Sequence, residues 1–234
     1  MKKSLSSIIL LLASSSAFAD TNYPENPVLR PLTLTDGTVA LSAILAWGEE
    51  ENEDRGELNL NAAYGFTDNL TVSLGGLDYR ILARADNRTG LELAVALGLR
   101  GYQESLLNGD SVGYGGDLKG KYVFNSDLAM TFSVGYVKWD EEKQKNKSEF
   151  RYSVGIETNI ANDWTAFSNY TYRDLKDFTQ EDAHSVNMGV NYTYSKNMDV
   201  GLFAGYSSFD AQKNGYQLDN SFERLVGGYV AYRF

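Results

Sequence analysis

The sequence predicts an all-β fold, a transmembrane antiparallel up-and-down β-barrel, from three observations. Apolar and polar residues alternate over segments of about 10 to 13 residues. That is near the 9–11 a tilted strand needs to cross a bilayer and beyond the five or six usual in globular sheets. Tight turns and long charged connections follow one another in alternation. Proline, which cannot donate to a sheet ladder, is confined to Pro24, Pro27 and Pro31, and none occurs from Asp36 onward.

The chain opens with Lys2 and Lys3, an apolar run from Ile8 to Leu12, and the small-x-small site Ala17-Phe18-Ala19. A positive n-region, an apolar h-region and a cleavage box describe a secretory signal peptide over 1–19. Residues 20–36 carry all three prolines and are expected as an extended periplasmic lead-in. The sequence leaves open whether this segment enters the barrel.

Strands are expected from residue 37 to 234. Segments 37–47 and 56–66 come first, the latter with Leu58, Leu60, Ala62, Tyr64 and Phe66 opposing Glu57, Asn59, Asn61, Ala63 and Gly65. The same period of two recurs over 90–103, 111–124, 127–139, 148–160, 163–173, 183–195, 197–208 and 222–234. Between 70 and 89 the phase changes. Leu70, Val72 and Leu74 are on even numbers, whereas Leu77, Tyr79, Ile81 and Ala83 are on odd ones. A chain reversal at Gly75-Gly76 makes two short strands, 70–75 and 78–84, and twelve in all, with both termini periplasmic. A β-bulge there would leave ten.

Alternation alone does not separate a barrel with lipid on its apolar face from a sandwich with that face inside. The connections do. Thr67-Asp68-Asn69, Asn125-Ser126-Asp127, Ala161-Asn162-Asp163 and Ser195-Lys196-Asn197 are tight turns. Glu49 to Arg55, Asp140 to Ser148, Asp174 to Asp182 and Asp210 to Ser221 are longer and charged. Short turns at one end and long loops at the other are the habit of outer-membrane barrels. Aromatic residues make up 13% of the chain, and the 16 tyrosines cluster near strand ends.

Composition excludes other classes. There is no cysteine, hence no disulfide framework and no thiolate metal site. The net charge is −10, and loss of Lys2 and Lys3 makes the chain more acidic still, which argues against nucleic acid as a partner. No apolar stretch after the signal approaches the roughly 20 residues of a membrane helix.

Gly115-Gly116-Asp117-Leu118-Lys119-Gly120-Lys121 nearly matches a phosphate-binding loop. It has Tyr122 where Ser or Thr is required, and no helix follows. The only histidine, His184, precedes Ser185, but neighbours on a strand point to opposite faces, so the pair is not a base and its nucleophile. No catalytic residue, metal ligand or cofactor is expected. The acidic runs Glu49-Glu50-Glu51 and Asp140-Glu141-Glu142 are read as solvated loops. The Asn-x-Thr matches at Asn69, Asn87, Asn169 and Asn191 are not read as glycan sites.

Counting back from the terminal Phe234, Tyr232, Val230, Gly228 and Val226 are apolar or small. This ending resembles the sorting signal of Gram-negative outer-membrane β-barrels, and with the signal peptide and alternation the mature chain is similar to small monomeric porin-like barrels. The resemblance implies a bacterial outer-membrane location, contact with outer-membrane lipids and lipopolysaccharide, and recognition of Phe234 by the barrel-assembly machinery. Porins for acidic sugars share the size but rely on basic lumen strips.

The lumen here is expected to be mixed in charge. Asp78, Arg80, Arg84, Glu92, Arg100, Asp117, Lys119, Lys121, Arg151 and Glu157 share the polar face. A basic residue facing lipid at mid-depth costs ~2–4 kcal/mol, so these side chains are expected inside. They either pair across the lumen and close it or line a constriction that selects solutes by field. Many other inward residues are small, which favours a narrow water path. The leading expectation is a channel for passive diffusion of small hydrophilic solutes, not an enzyme. The alternatives are a closed structural or adhesive barrel acting through its loops and, further off, an enzyme cleaving lipid or peptide.

Overall fold

The computed structural model describes residues 23–50, 53–85, 88–103, 110–142, 145–216 and 223–234. The expected signal peptide and the start of the lead-in lie outside the described residues. Twelve strands form one closed antiparallel barrel: β1 Val39–Glu50, β2 Glu53–Thr67, β3 Leu70–Ser73, β4 Gly76–Leu82, β5 Gly90–Gln103, β6 Ser111–Asn125, β7 Leu128–Glu141, β8 Lys147–Ala161, β9 Trp164–Lys176, β10 Asp182–Ser195, β11 Met198–Ser207 and β12 Arg224–Arg233. Each strand pairs with its neighbours in sequence. β1 meets β12 from Ala40↔Arg233 to Glu49↔Arg224, which removes every free edge at the seam.

The apolar face points outward. Leu58, Leu60, Phe66 and Leu202 are each about 60% exposed, while the charged side chains of Glu92, Glu149 and Asp199 are fully buried inside. A soluble sandwich has the reverse arrangement. Aromatic rings gather at both ends of the outer face. Tyr64 and Phe66, Tyr122 and Phe124, and Trp164 and Tyr192 pair at the periplasmic end, and Tyr136, Phe150, Tyr152 and Tyr172 form a ladder near the extracellular rim.

The chain does reverse at Gly75, and Ser73 pairs with Gly76 across the turn. The ten-strand alternative is therefore set aside. β4 ends at Leu82, however, after a register shift between Arg80 and Leu82. Arg84 accordingly lies beyond the strand expected to carry it, although it still points inward.

Two buried apolar clusters occupy the lumen. Val28 of the lead-in packs on Val123 and Ala129, with Leu29 beside them. Toward the other end, Phe209, Ala211 and Tyr216 of the β11–β12 connection pack on Leu175 and Ala183. Polypeptide from outside the sheet thus narrows the interior at both ends, and beside the lead-in a space of about 620 Å³ remains, lined by Asn26, Asn159, Thr165 and Thr193.

Candidate functional site: a divided lumen

The periplasmic end is occupied by residues 23–38. Pro27–Leu29 form one 3₁₀ turn, capped by Asn26, whose side chain accepts from the Val28 amide. Asn26 Nδ2 donates to Ser126 O at 2.7 Å, tying the turn to the β6–β7 connection. The segment then crosses the barrel mouth. Arg30 forms a two-pronged contact with Asp199 of β11, at 2.6 and 3.0 Å. Arg233 of β12 meets the same carboxylate from the other side, and the Tyr23 ring lies against both guanidinium groups. Burial pushes the Tyr23 phenol above its ordinary range. Further along, Leu32 N donates to Glu92, Leu34 N to Thr71 Oγ1, and Asp36 N to Asp68.

The barrel wall supplies the rest of this closure. Arg84 is fully buried; its Nε is 2.8 Å from Glu92, and its Nη2 donates to the carbonyls of Leu29 and Arg30. Lys121 holds Glu157 at 2.6 Å and reaches Pro27 O at 3.2 Å. Backbone carbonyls of the lead-in thus replace water around charges that the barrel buries, and satisfied partners are the condition for burying charge cheaply.

Beyond the lead-in lies a chamber of about 390 Å³, lined by Arg100, Asp117, Lys119, Ser133, Arg151, Ser153, Thr171, Arg173 and Ser185. Ladder register explains the lining. Lys119, Ser133, Ser153, Thr171 and Ser185 are successive cross-strand partners from β6 to β10, as are Asp117, Gly135, Arg151 and Arg173 in the next row. Arg100 bonds Asp117 at 2.6 Å and Lys119 bonds Asp78 at 2.6 Å. Glu149 accepts from Arg151 and Arg173, one on each oxygen, and from Trp139 Nε1. One carboxylate therefore serves two guanidinium groups.

A second closure lies at the extracellular end. Trp139 projects across the lumen over Gly101 and Gly113, and a Cβ at Gly101 would come within 2.5 Å of its ring. The β11–β12 connection folds inward onto it. Tyr216 donates to Glu141 at 2.5 Å, and Lys147 meets the Tyr216 hydroxyl at 2.9 Å and the Asn214 carbonyl at 3.2 Å. Burial first, and then the Glu141 carboxylate, hold the Tyr216 phenol far above its ordinary range.

All ten side chains expected inside thus lie on the lumen side. They do not form one ring. Arg80, Arg84, Glu92, Lys121 and Glu157 gather against the lead-in, while Asp78, Arg100, Asp117, Lys119 and Arg151 belong to the chamber. Sequence reasoning passed over Glu149, Arg173, Asp199 and Arg233, although each occupies an odd position on a strand whose apolar face is even. Arg30, Asn214 and Tyr216 sit outside the strands, where alternation gives no signal. His184 faces outward, with Nδ1 2.6 Å from the Tyr170 hydroxyl, while Ser185 lines the chamber.

An apolar-coated, closed barrel with buried charge inside defines a transmembrane β-barrel of the bacterial outer membrane. The chain belongs to the outer membrane protein beta-barrel domain family, whose family model matches residues 6–194. Among solved structures, the NanC porin is similar at a TM-score of 0.59 with 11% identity, over 82% of this chain and 98% of that one. The KdgM porin gives 0.52 with 12% identity, over 84% and 99%. At these identities the likeness is one of fold. No curated protein sequence matches.

Proposed function

We propose that this barrel is a porin-like channel for small hydrophilic solutes, with the charged chamber as its selective section and the lead-in as a closure that must move for solute to pass. The single observation behind this reading is the chamber itself, where Arg100, Lys119, Arg151 and Arg173 face hydroxyls of Ser133, Ser153, Thr171 and Ser185 in a space of about 390 Å³. A barrel needing only rigidity would have its lumen filled there too. The likeness in fold to two porins supports the same reading. Planar-bilayer recording of the mature protein tests it. Rare openings that become frequent in Arg30→Ala are expected. A sealed membrane for both proteins would remove the channel reading.

The double closure favours a second reading, a closed barrel acting through its loops. It predicts that no substitution at the lead-in raises conductance, and that shortening the 140–148 connection abolishes surface binding without altering permeability.

A further inference from the structure

The two short strands leave a gap in the barrel wall. β3 has four residues and β4 seven, whereas the strands on either side, β2 and β5, have fifteen and fourteen. The β2–β3 ladder begins at Ala63↔Ser73, with Leu74 N donating to Ala62 O at 3.1 Å. The β4–β5 ladder stops at Gly76↔Gly98, with Leu99 N donating to Gly75 O at 2.8 Å. Above this hairpin, residues 53–61 of β2 pair only with β1, and β5 beyond Leu99 pairs only with β6. Among the described residues no strand stands between them. Two absent strands at ~4.8 Å spacing leave about 14 Å between the flanking backbones.

The depth of the gap matters. Backbone groups of a strand face its two neighbours in alternation, and Ala62 faces β3, so Leu60 and Leu58 turn their N–H and C=O groups into the gap. Their side chains point outward and are 59% and 60% exposed, on the lipid-facing surface. Leu99 stands outward on the opposite flank. An open sheet edge is not tolerated against acyl chains; at membrane depth it persists only where it lines a water-filled space. Asn59 and Asn61 face the lumen beside this edge and are exposed, as a wet opening requires. The sill is bare backbone, since a Cβ on Gly98 would come within 2.1 Å of Gly75 O.

Arg100 joins the gap to the chamber. It follows Leu99 on the β5 flank, lines the chamber, and carries an Nη2 with no hydrogen-bond partner among the described residues. Arg100, Lys119, Arg151 and Arg173 are four cations held by three carboxylates, Asp117, Asp78 and Glu149, and Glu57 on the far flank is engaged by Asn59 at 2.7 Å. The lumen is narrowed along its axis at both ends, and at the side no described strand closes it.

We infer that the space between β2 and β5 is a lateral portal for a single-chain anionic amphiphile of the fatty-acid kind. It would enter from the outer leaflet with its carboxylate toward Arg100 and its chain between the leucines of the two flanks. The inference goes beyond the axial-channel reading and does not depend on it, because its readouts are labelling and exchange rather than conductance.

A diazirine-bearing palmitate, photolysed with the folded mature protein in liposomes, tests the portal. Adducts are expected to concentrate on β2 and β5 beside the gap. Gly75→Trp should abolish that enrichment, since only the Leu99 carbonyl lies within 4 Å of a Cβ at this position and an indole there enters the opening. Arg100→Gln should remove the enrichment for the acid and leave it for the matching alcohol, which makes no charge-assisted bond. Adducts spread evenly around the barrel, or enrichment unaffected by Gly75→Trp, would overturn the inference. Amide exchange on the unsubstituted protein decides independently of how that variant folds. Leu58 and Leu60 should exchange faster than the interior of β7 to β9, and equal protection would mean that another chain covers the edge.

Discussion

Arg30 and Asp199 are 169 residues apart in sequence and 2.6 Å apart in the lumen. The contact binds the lead-in to the wall at β11, and Arg233 completes it from β12. Asp199 is thus the counter-ion of both the plug and the terminal strand.

Asp199→Asn leaves two guanidinium groups facing a neutral amide. Breaking a buried pair by removing one partner costs about 3–5 kcal/mol, and the loss falls on the hold between the lead-in and β11. The expected outcome is cleavage within residues 28–34 by proteinase K added from the periplasmic side, with the unsubstituted protein resistant. Equal resistance in both would show that Val28 and the backbone hydrogen bonds hold the segment unaided.

Glu149→Gln should change selectivity. The substitution removes the carboxylate that Arg151 and Arg173 share and leaves their positive charge to the chamber. Reversal potentials in a salt gradient should move toward the anion potential, with thermal stability lowered by about 3–5 kcal/mol. Trp139 also loses an ionised acceptor, so part of that loss belongs to the extracellular end.

Alternation reveals the barrel, its strand count and the inward placement of charge, because a period of two is a local property of each strand. Gly75-Gly76 even marks the short hairpin. The same pattern is silent about the lead-in and the 208–216 connection, whose places depend on contacts such as Lys121 with Pro27 O and Lys147 with Asn214 O. Part of the mixed charge lies against the lead-in and part around the chamber, a division no local pattern carries.

Tyr216→Phe removes the hydroxyl shared by Glu141 and Lys147 while keeping the ring against Trp139. Losing a hydrogen bond to a charged group costs about 1.5–3 kcal/mol, so the connection should loosen without leaving. Faster amide exchange over residues 209–216, with β9 and β10 unchanged, is the expected reading.

The Tyr216 phenol ionises above its ordinary range when folded, so its stabilising contribution is complete below the unfolded value of about 10 and is lost as pH rises further. At pH 11 this residue should still be un-ionised. Tyr216→Phe is therefore expected to leave the tyrosinate absorbance at that pH unchanged, and a drop of one tyrosine's worth would show the loop undocked.

The lead-in leaves from the mouth by which it enters. Tyr23 rests on Arg233 near the end of the last strand, and Val39 begins β1 paired with Phe234, so both ends of the inserted segment hang from the periplasmic rim. It is a tucked loop, not a thread through the tube. Pulling it free would break the bonds of residues 23–38 and no ladder between the twelve strands, so the barrel could keep its pairing with the segment in or out.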